Sequence, residues 1–279
     1  MNIQDFLVGQ NSKATLEAYK TDLKQFELMA GGELTRGGVI LFRDTLLKEG
    51  LSTSTVARKM SSVRSYCQFL RGQGLLSKDP FAGVKAPKVS VAEPTEAFTD
   101  DEVKKIFKVC KDRKDSFIRN RDLIVLSLLF YAGLRRNEII TLRFCDVLNI
   151  EGQLILKILG KGSKYRMIPA HPTLAEVLLP VVTAPPLIPE PSKSTAYLLG
   201  IGRGTIYKIV KRYAKMIGIT RNVSPHSCRA TAISQLLENG ESPRNVADFA
   251  GHSSVNTTIG SYDKKRDGIK NSSAMKLKF

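Results

Sequence analysis

The 279-residue sequence predicts a mainly helical protein with a small antiparallel β-sheet, organised as two domains. Apolar residues recur at helical spacing through most of the chain, and two strand-like runs flank a glycine-rich turn near residue 160. A proline-containing segment without helical period, residues 84–98, divides the chain. We expect an all-helical first domain at residues 1–88, a linker at residues 89–98 and a mixed α+β domain at residues 99–279.

The first domain is predicted to contain a long amphipathic helix that starts from Ser12 as its N-cap. Its apolar residues recur every three or four positions: Leu16, Tyr19, Leu23, Phe26 and Met29. This spacing places them on one helix face, which we expect to pack in the domain core.

A second helix of this domain is predicted from Thr55 to Arg71. One face is apolar, and the opposite face combines short hydroxyls with long cations: Arg58, Lys59, Ser61, Ser62, Arg64 and Ser65. Such a face can approach a DNA groove closely, so Arg58, Lys59, Ser62 and Arg64 are candidate DNA-binding residues. An ordinary solvated helix face accounts for the same pattern, and the helix alone does not decide between the two.

The second domain begins with a predicted capping box, Thr99 to Glu102, that opens a new helix. Residues 119–134 are predicted to form a buried helix that ends near Gly133. Residues 154–170 indicate two strands around a turn at residues 160–163, and four prolines in residues 184–194 indicate a loop.

A further helix is predicted over residues 205–219. Its apolar side contains Ile206, Ile209, Val210, Tyr213 and Ile217. Its other side contains four cations: Lys208, Lys211, Arg212 and Lys215. Like charges on one helix face repel each other unless an anion lies between them, and we interpret these four as contacts to a phosphate backbone.

The charge of the chain favours a nucleic-acid partner. The 43 Lys and Arg residues against 26 Asp and Glu give a net charge of +17 and a pI of about 9.8. Residues 1–98 contain 13 basic and 10 acidic residues, whereas residues 99–279 contain 30 and 16. A basic excess of this size attracts polyanions, because each neutralised phosphate releases counterions.

Other features of the sequence narrow the function classes. No run of 18 apolar residues indicates a membrane span, and the N-terminus lacks the pattern of a signal peptide. The four cysteines lie far apart, which predicts free thiols and makes a zinc site improbable. We therefore expect a cytoplasmic, nucleoid-associated protein that needs no metal.

Four short motifs in the second domain could carry phosphate chemistry. They are AGLRRNEIITLRF with Arg135, GKGSKYR with Lys161, SPHSCRATA with His226 and Arg229, and AGHSSVNTTIGSYDKK with His252 and Tyr262. Each alone is a weak signal, since an HxxR pair or a surface arginine occurs often by chance.

In order, AGLRxxE, GKGxKxR, HxxR and GHSSxxTT followed by a tyrosine resemble the tyrosine recombinase (integrase) family. Residues 55–88 resemble the end of that family's core-binding domain, so the resemblance covers nearly the whole chain. It implies the simple two-domain type, phage integrase-like or Xer-like. The expected fold is a SAM-like four-helix core-binding domain followed by a mixed α+β catalytic domain.

The resemblance implies covalent catalysis. Tyr262 would attack the scissile phosphate and form a 3′-phosphotyrosyl bond, while Lys161 would protonate the leaving 5′-oxygen. Because the phosphotyrosine retains the energy of the broken bond, religation needs neither ATP nor a metal cofactor.

The other motif residues acquire roles by the same resemblance. Arg135 and Arg229 would bind non-bridging phosphate oxygens. His226 would act as general base or proton relay, and His252 as a hydrogen-bond donor to the phosphate. Glu138 would support the active-site arginines.

Some positions depart from the family pattern. Arg136 replaces an aliphatic residue, Asn137 a serine and Ala250 a leucine. Tyr262 follows His252 by ten residues, where nine is the more familiar count. Lys164 and Arg166 are interpreted as ordinary hairpin cations.

The resemblance also implies the partners. The family acts as a homotetramer on two double-stranded DNA sites with inverted core sequences, through a Holliday junction. Since no arm-binding domain is expected ahead of residue 12, a resolvase or integrase of a mobile element is favoured over a large phage integrase. A type IB topoisomerase and a non-catalytic DNA-binding protein are the alternatives.

Overall fold

The computed structural model describes residues 3–8, 13–88, 96–160, 165–183, 196–252 and 254–258. The chain divides into two compact units, Met1–Glu93 and Pro94–Phe279. The predicted fold class is confirmed, because the described elements are helices together with one small antiparallel sheet.

In its described residues the first unit is all-helical. Its elements are α1 (Ile3–Val8), α2 (Lys13–Ala30), α3 (Arg36–Lys48) and α4 (Thr53–Gly72). Thr35 caps α3 and Ser52 caps α4, each accepting a main-chain hydrogen bond in the first turn. The core contains Leu23 and Phe26 of the predicted apolar face, whereas Ser12 lies outside the described residues.

The polar face of α4 differs from the prediction in one important respect. Asp22 of α2 is buried, with 1% of its surface exposed, and it binds three residues of this face. Arg58 donates to both carboxylate oxygens at 2.6 and 3.0 Å, Lys59 donates at 3.0 Å, and the Ser62 hydroxyl donates at 2.7 Å.

Two of the four candidate DNA-binding residues on α4 are therefore misassigned as surface groups. Ser62 is buried with Asp22, and the Lys59 side chain is only 12% exposed because it also binds Gln25. The Arg58 side chain remains 51% exposed, and Arg64 is exposed with its guanidinium over the Phe81 ring. Of these four residues, Arg58 and Arg64 have the side chains that remain exposed and so stay candidates for DNA contact.

The second unit combines helices with the sheet. Its helices are α5 (Asp100–Lys111), α6 (Ser116–Phe130), α7 (Arg136–Thr141), α8 (Pro172–Thr183), α9 (Arg203–Met216), α10 (Pro225–Glu238) and α11 (Pro243–Ala250). The predicted capping box opens α5, and α6 is the expected buried helix, since every residue from Asp122 to Phe130 is buried.

The sheet has one strand more than the sequence analysis predicts. Strands β1 (Val147–Ile150), β2 (Gln153–Leu159) and β3 (Tyr165–Pro169) lie in that order and pair antiparallel. Glu151 and Gly152 join β1 to β2 with φ angles of +50° and +85°, as a type I′ turn requires. Of the turn predicted between β2 and β3, residues 161–163 lie outside the described residues.

The cationic side of α9 is not a row of unpaired charges. Asp122 of α6 is fully buried and accepts hydrogen bonds from Arg121 at 2.7 Å, Tyr213 at 2.9 Å and Arg212 at 3.3 Å. Arg212 thus has an anion within the fold, which corrects the premise that all four cations need a phosphate. Lys211 binds the Asn222 side chain at 2.7 Å, and Lys208 and Lys215 are exposed.

The residues just before α5 belong to the second unit and not to the linker. Phe98 is 5% exposed, and its main-chain N–H donates to the Thr231 hydroxyl of α10 at 2.7 Å. Arg221 donates to the Ala97 carbonyl and to both oxygens of Glu102. Residues 96–98, assigned to the linker by the sequence, are therefore fixed to the helix that carries His226 and Arg229.

All four cysteines lie in the described ranges and are free thiols, as predicted. None of the described helices is long and apolar enough to cross a membrane. Within the same residues, no group of His, Cys, Asp and Glu side chains could hold a metal ion.

Candidate active site

A buried carboxylate, Glu138, is the centre of the site. The Arg135 main-chain N–H donates to one of its oxygens at 2.8 Å, which caps the start of α7. The Arg135 guanidinium donates to the other oxygen at 2.9 Å. The Arg135 side chain remains 41% exposed. Glu138 therefore fixes this side chain while leaving it accessible to a ligand.

A second arginine, Arg166 of β3, binds the same carboxylate. Its two terminal nitrogens donate to the two Glu138 oxygens at 3.0 and 2.9 Å. The interpretation of Arg166 as an ordinary hairpin cation is wrong. The signal for its position is strand alternation: Arg166 pairs with Ile158, which is 1% exposed, and paired residues face the same side of a sheet. Lys164 lies outside the described residues.

Three successive main-chain oxygens at the end of α11 each accept from a different arginine. Arg166 Nε donates to Phe249 at 3.1 Å, Arg229 donates to Ala250, and Arg135 donates to Gly251 at 2.8 Å. The last carbonyls of a helix lack partners within it and carry partial negative charge, which explains why guanidinium groups collect there.

Two glycines permit this close packing. Gly251 ends α11 in the left-handed region at φ +62°, and a Cβ there would lie 2.8 Å from an Arg166 nitrogen. Gly133 has φ +59°, and a Cβ there would lie 2.8 Å from the Phe249 ring. The Gly133 carbonyl accepts the second hydrogen bond of Arg229, a side chain that α10 holds almost fully buried.

An open cavity of about 340 Å³ lies against these arginines. It is lined by Leu134, Arg135, Arg136, Asn137, Pro225, His226 and Arg229. His226 sits in the first turn of α10, after Pro225 and the N-cap Ser224, so it lies beside the positive end of a helix dipole. Arg136, which departs from the family pattern, adds a further cation to the cavity wall.

The pKa of both histidines of the site is lowered, which favours the neutral form of each at pH 7. Burial lowers the pKa of His226, and the charges of Arg229 and Arg135 lower it further. Burial, followed by the charges of Arg229 and Arg135, lowers the pKa of His252 to about 4. The Nδ1 atom of His252 lies 2.8 Å from the hydroxyl of Thr258, a fully buried residue for which the sequence analysis gives no role.

The charged groups of the site also shift each other. Burial alone would raise the pKa of Glu138, but hydrogen bonds from Arg166 and Arg135 outweigh it and hold the pKa below its ordinary value. Burial and the nearby Arg135 lower the pKa of Arg229 to about 10. At pH 7 the cluster holds one carboxylate against three guanidiniums, which leaves an excess of positive charge for an anionic ligand.

The structure thus brings together five of the seven predicted catalytic and supporting residues: Arg135, Glu138, His226, Arg229 and His252. Lys161 and Tyr262 lie outside the described residues.

Comparison with known proteins gives two matches along the chain. The phage integrase family matches residues 96–268, more than half of the sequence. The N-terminal SAM-like domain of phage integrases matches residues 5–74. The chain belongs to the phage integrase family of tyrosine recombinases.

Relatives of this recombinase match about nine tenths of its length. A tyrosine recombinase of Pseudothermotoga lettingae is 32% identical over 274 residues, covering 92% of this chain and 90% of the relative. Tyrosine recombinase XerC of Thermodesulfovibrio yellowstonii is 30% identical over 260 residues, covering 89% and 85%. Tyrosine recombinase XerD of Halalkalibacterium halodurans is 29% identical over 276 residues, covering 92% and 91%. The recombinase is therefore an enzyme of site-specific DNA recombination.

Solved structures share the fold. The XerH site-specific recombinase in its post-cleavage complex with palindromic difH substrate has a TM-score of 0.73 at 18% identity, over 93% of this chain and 79% of that one. A lambda integrase (75–356) dimer bound to a COC′ core site has a TM-score of 0.72 at 16% identity, over 95% and 94%.

Proposed function

We propose that this recombinase cuts and rejoins DNA through a 3′-phosphotyrosyl bond to Tyr262. The observation that carries the proposal is the group of arginines around Glu138, which opens on a cavity beside His226. The described residues offer this cavity a surplus of positive charge and no competing carboxylate in its wall.

Arg135 and Arg229 are proposed to hold the scissile phosphate. A phosphodiester under attack gains negative charge on its non-bridging oxygens, and fixed cations stabilise that charge more than they stabilise the ground state. Arg135 and Arg229 meet this requirement because main-chain oxygens of α11 already fix both guanidiniums. Little reorganisation is then needed when the phosphate binds.

His252 is proposed to donate a hydrogen bond to the phosphate. A neutral imidazole accepts at one nitrogen and donates at the other. We assign the Thr258 hydroxyl, 2.8 Å away, as the donor to Nδ1. This tautomer places the proton on Nε2 and makes that atom the donor to the phosphate. His226, also neutral and at the cavity wall, is available to accept the proton of the attacking tyrosine.

Lys161 and Tyr262 complete the proposed mechanism by family resemblance. The tyrosine oxygen bonds to phosphorus, the bond from phosphorus to the 5′-oxygen breaks, and Lys161 gives that oxygen its proton. Religation reverses these steps with the 5′-hydroxyl of a new strand, so no external energy source is consumed.

For the assembly we propose a homotetramer on two DNA sites with inverted core sequences that exchanges strands through a Holliday junction. This organisation follows from the resemblance to the tyrosine recombinase family, in which the XerC and XerD relatives are also named. The role that we propose is dimer or cointegrate resolution, or integration, in a mobile element, and the place of action is the nucleoid.

Covalent capture tests the mechanism. DNA protected by the purified protein, beginning with sequence next to its own gene, supplies the site, and a nick near the scissile phosphate turns that site into a suicide substrate. We expect the wild type to form a denaturant-resistant adduct, Tyr262→Phe to form none while binding the site with nearly unchanged affinity, and Tyr197→Phe to behave as wild type. Tyr197 is a matched control because it is an exposed tyrosine of the same unit.

An adduct formed by Tyr262→Phe would refute the nucleophile. Equal adduct formation on unrelated DNA, with relaxation of supercoils, would indicate a type IB topoisomerase instead. Failure of the wild type to form any adduct would indicate a DNA-binding protein without catalysis.

A further inference from the structure

We propose that Arg166 is a positioning residue of this active site, which holds Glu138 and the end of α11 so that Arg135 stays directed at the scissile phosphate. The inference rests on the proposed function and adds a residue to it. Arg166 is not itself a phosphate ligand in this proposal, because it does not line the cavity beside His226 and all three of its nitrogens donate within the fold.

Arg166 and Arg135 compete for Glu138. Each of its oxygens accepts one hydrogen bond from Arg166, at 3.0 and 2.9 Å, which leaves the Arg135 guanidinium a single contact at 2.9 Å. Carboxylates and guanidiniums prefer a two-bond fork when both edges are available. Without Arg166 the carboxylate could take Arg135 in that fork, turning it away from the phosphate and neutralising its charge.

Arg166 also connects Glu138 to the end of α11. Arg166 is the only one of the three arginines at the end of α11 whose side chain joins Phe249 to Glu138 directly, at 3.1 and 2.9 Å. Phe249 stands next to Ala250 and Gly251, whose carbonyls bind Arg229 and Arg135. Arg166 therefore fixes the distance between Glu138 and the two oxygens that orient the proposed phosphate ligands.

The charge of Arg166 also shifts the pKa values of its neighbours. The hydrogen bonds of Arg166 are the largest influence that lowers the pKa of Glu138, against burial, which raises it. Arg166 also contributes to the lowered pKa of His252, after burial, the charges of Arg229 and Arg135, and the coupling to His226. Loss of Arg166 should consequently raise the pKa values of both groups.

The experiment compares single-turnover adduct formation and site affinity in full-length variants. Arg166→Gln should slow adduct formation about 100-fold, the size of loss expected when a catalytic group is displaced by about 1 Å, while the Kd for the site changes less than about threefold. Arg166→Lys keeps the charge but not the fork, and should lose about tenfold. Lys157→Gln is the matched control, since it removes one positive charge from the neighbouring strand, where the ammonium lies over the Tyr165 ring; it should behave as wild type.

A double variant separates positioning from mere folding. If Arg166 keeps Glu138 from capturing Arg135, then Glu138→Gln in the Arg166→Gln background should restore part of the lost rate. A residue needed only for folding would make the double variant slower than the single one. The chain has three histidines, so NMR titration can follow His252, whose pKa should rise in Arg166→Gln and stay near the wild-type value in Arg166→Lys, which keeps the charge.

The proposal is overturned if Arg166→Gln and Arg166→Lys form adducts within about twofold of wild type, or if the double variant is slower than Arg166→Gln. If Arg166→Gln does not fold, the Arg166→Lys rate decides the question. Failure of the wild type to form an adduct overturns the proposed function instead, and so the two failures are distinguishable.

Discussion

Replacing Asp22 with asparagine tests the ion-pair network that corrects the polar face of α4. The change keeps the size of the side chain but removes the charge and one of two acceptor oxygens. Four hydrogen bonds, two from Arg58 and one each from Lys59 and Ser62, then face a single acceptor and an amide that cannot accept.

The expected loss of stability is about 3 kcal/mol. Removing one partner of a buried ion pair costs about 3–5 kcal/mol, mainly because the other charge is left without a counterion. Here the Arg58 side chain is 51% exposed and can turn into water, which places the cost at the lower end of that range. With a urea m-value of about 1.5 kcal/mol per M, the midpoint for the first unit should fall by about 2 M.

Urea denaturation followed by circular dichroism measures this shift, and hydrogen exchange of α2 and α4 peptides assigns it to the first unit. Asp44→Asn is the matched control, because Asp44 also pairs with an arginine, at 2.7 Å, but is 54% exposed. We expect no measurable change in the control. Equal midpoints for the two variants would refute the network as a source of stability.

The loss of stability at acidic pH tests the same substitution in a second way, through the free energy of unfolding measured as a function of pH. Burial raises the pKa of Asp22, but hydrogen bonds from Arg58, Ser62 and Lys59 outweigh it and lower the pKa below its ordinary value. The stabilisation is therefore present above the unfolded pKa of about 3.9 and is lost as pH falls through the folded value. Asp22→Asn should remove this part of the stability loss at acidic pH.

Three further predictions concern catalysis and DNA binding. Lys161→Ala should slow cleavage strongly. A 5′-bridging phosphorothiolate substrate should restore much of the rate in this variant, because sulfur leaves without a proton. Equal restoration in Arg135→Ala and Arg229→Ala would contradict the assignment of Lys161 as the acid. The pKa of His252 is lowered to about 4, so its neutral form stabilises the fold above the unfolded pKa of about 6.5, and this stability is lost as pH falls towards 4. In His252→Asn the melting temperature should therefore change less with pH between about 4 and 6.5. An unchanged pH dependence of the melting temperature would argue against the shift. Alanine at Lys208, Lys211 and Lys215 should reduce the salt slope of DNA binding by about 0.9 per lost phosphate contact, and an unchanged slope in Kd titrations would remove α9 from the interface.

The helices of this chain could be predicted because their signals are local. The capping box at Thr99 and the apolar run of α6 each lie within a few residues of the structure that they specify. The sequence does not predict strand β1, because the strand has only four residues and none of them is fully buried. Its turn also uses Glu-Gly, which is a weaker hairpin signal than Asn-Gly.

The positions of polar side chains were harder to predict, since they depend on partners far along the chain. Ser62 is buried because Asp22, 40 residues earlier, needs a hydroxyl donor. Arg166 belongs to the site because Glu138 lies 28 residues before it and because the register of β3 turns it inward. The order of the motifs predicted that Arg135, His226, Arg229 and His252 belong to one site. It gave no indication of the contacts of Asp22 with Ser62 or of Glu138 with Arg166.

Three arginines donate hydrogen bonds to main-chain oxygens at the end of α11, and this limits how the sequence of the segment can change among homologues. Carbonyl oxygens are the same in every residue type, so exchange of the side chains at positions 249 and 250 leaves the acceptors in place, provided that the helix keeps its packing. An inserted or deleted residue within Pro243–Ala250 is different, because it rotates everything after it by about 100° and shifts it by about 1.5 Å along the helix axis. We therefore expect homologous segments to tolerate many substitutions here while keeping a constant length between Ser242 and Gly251.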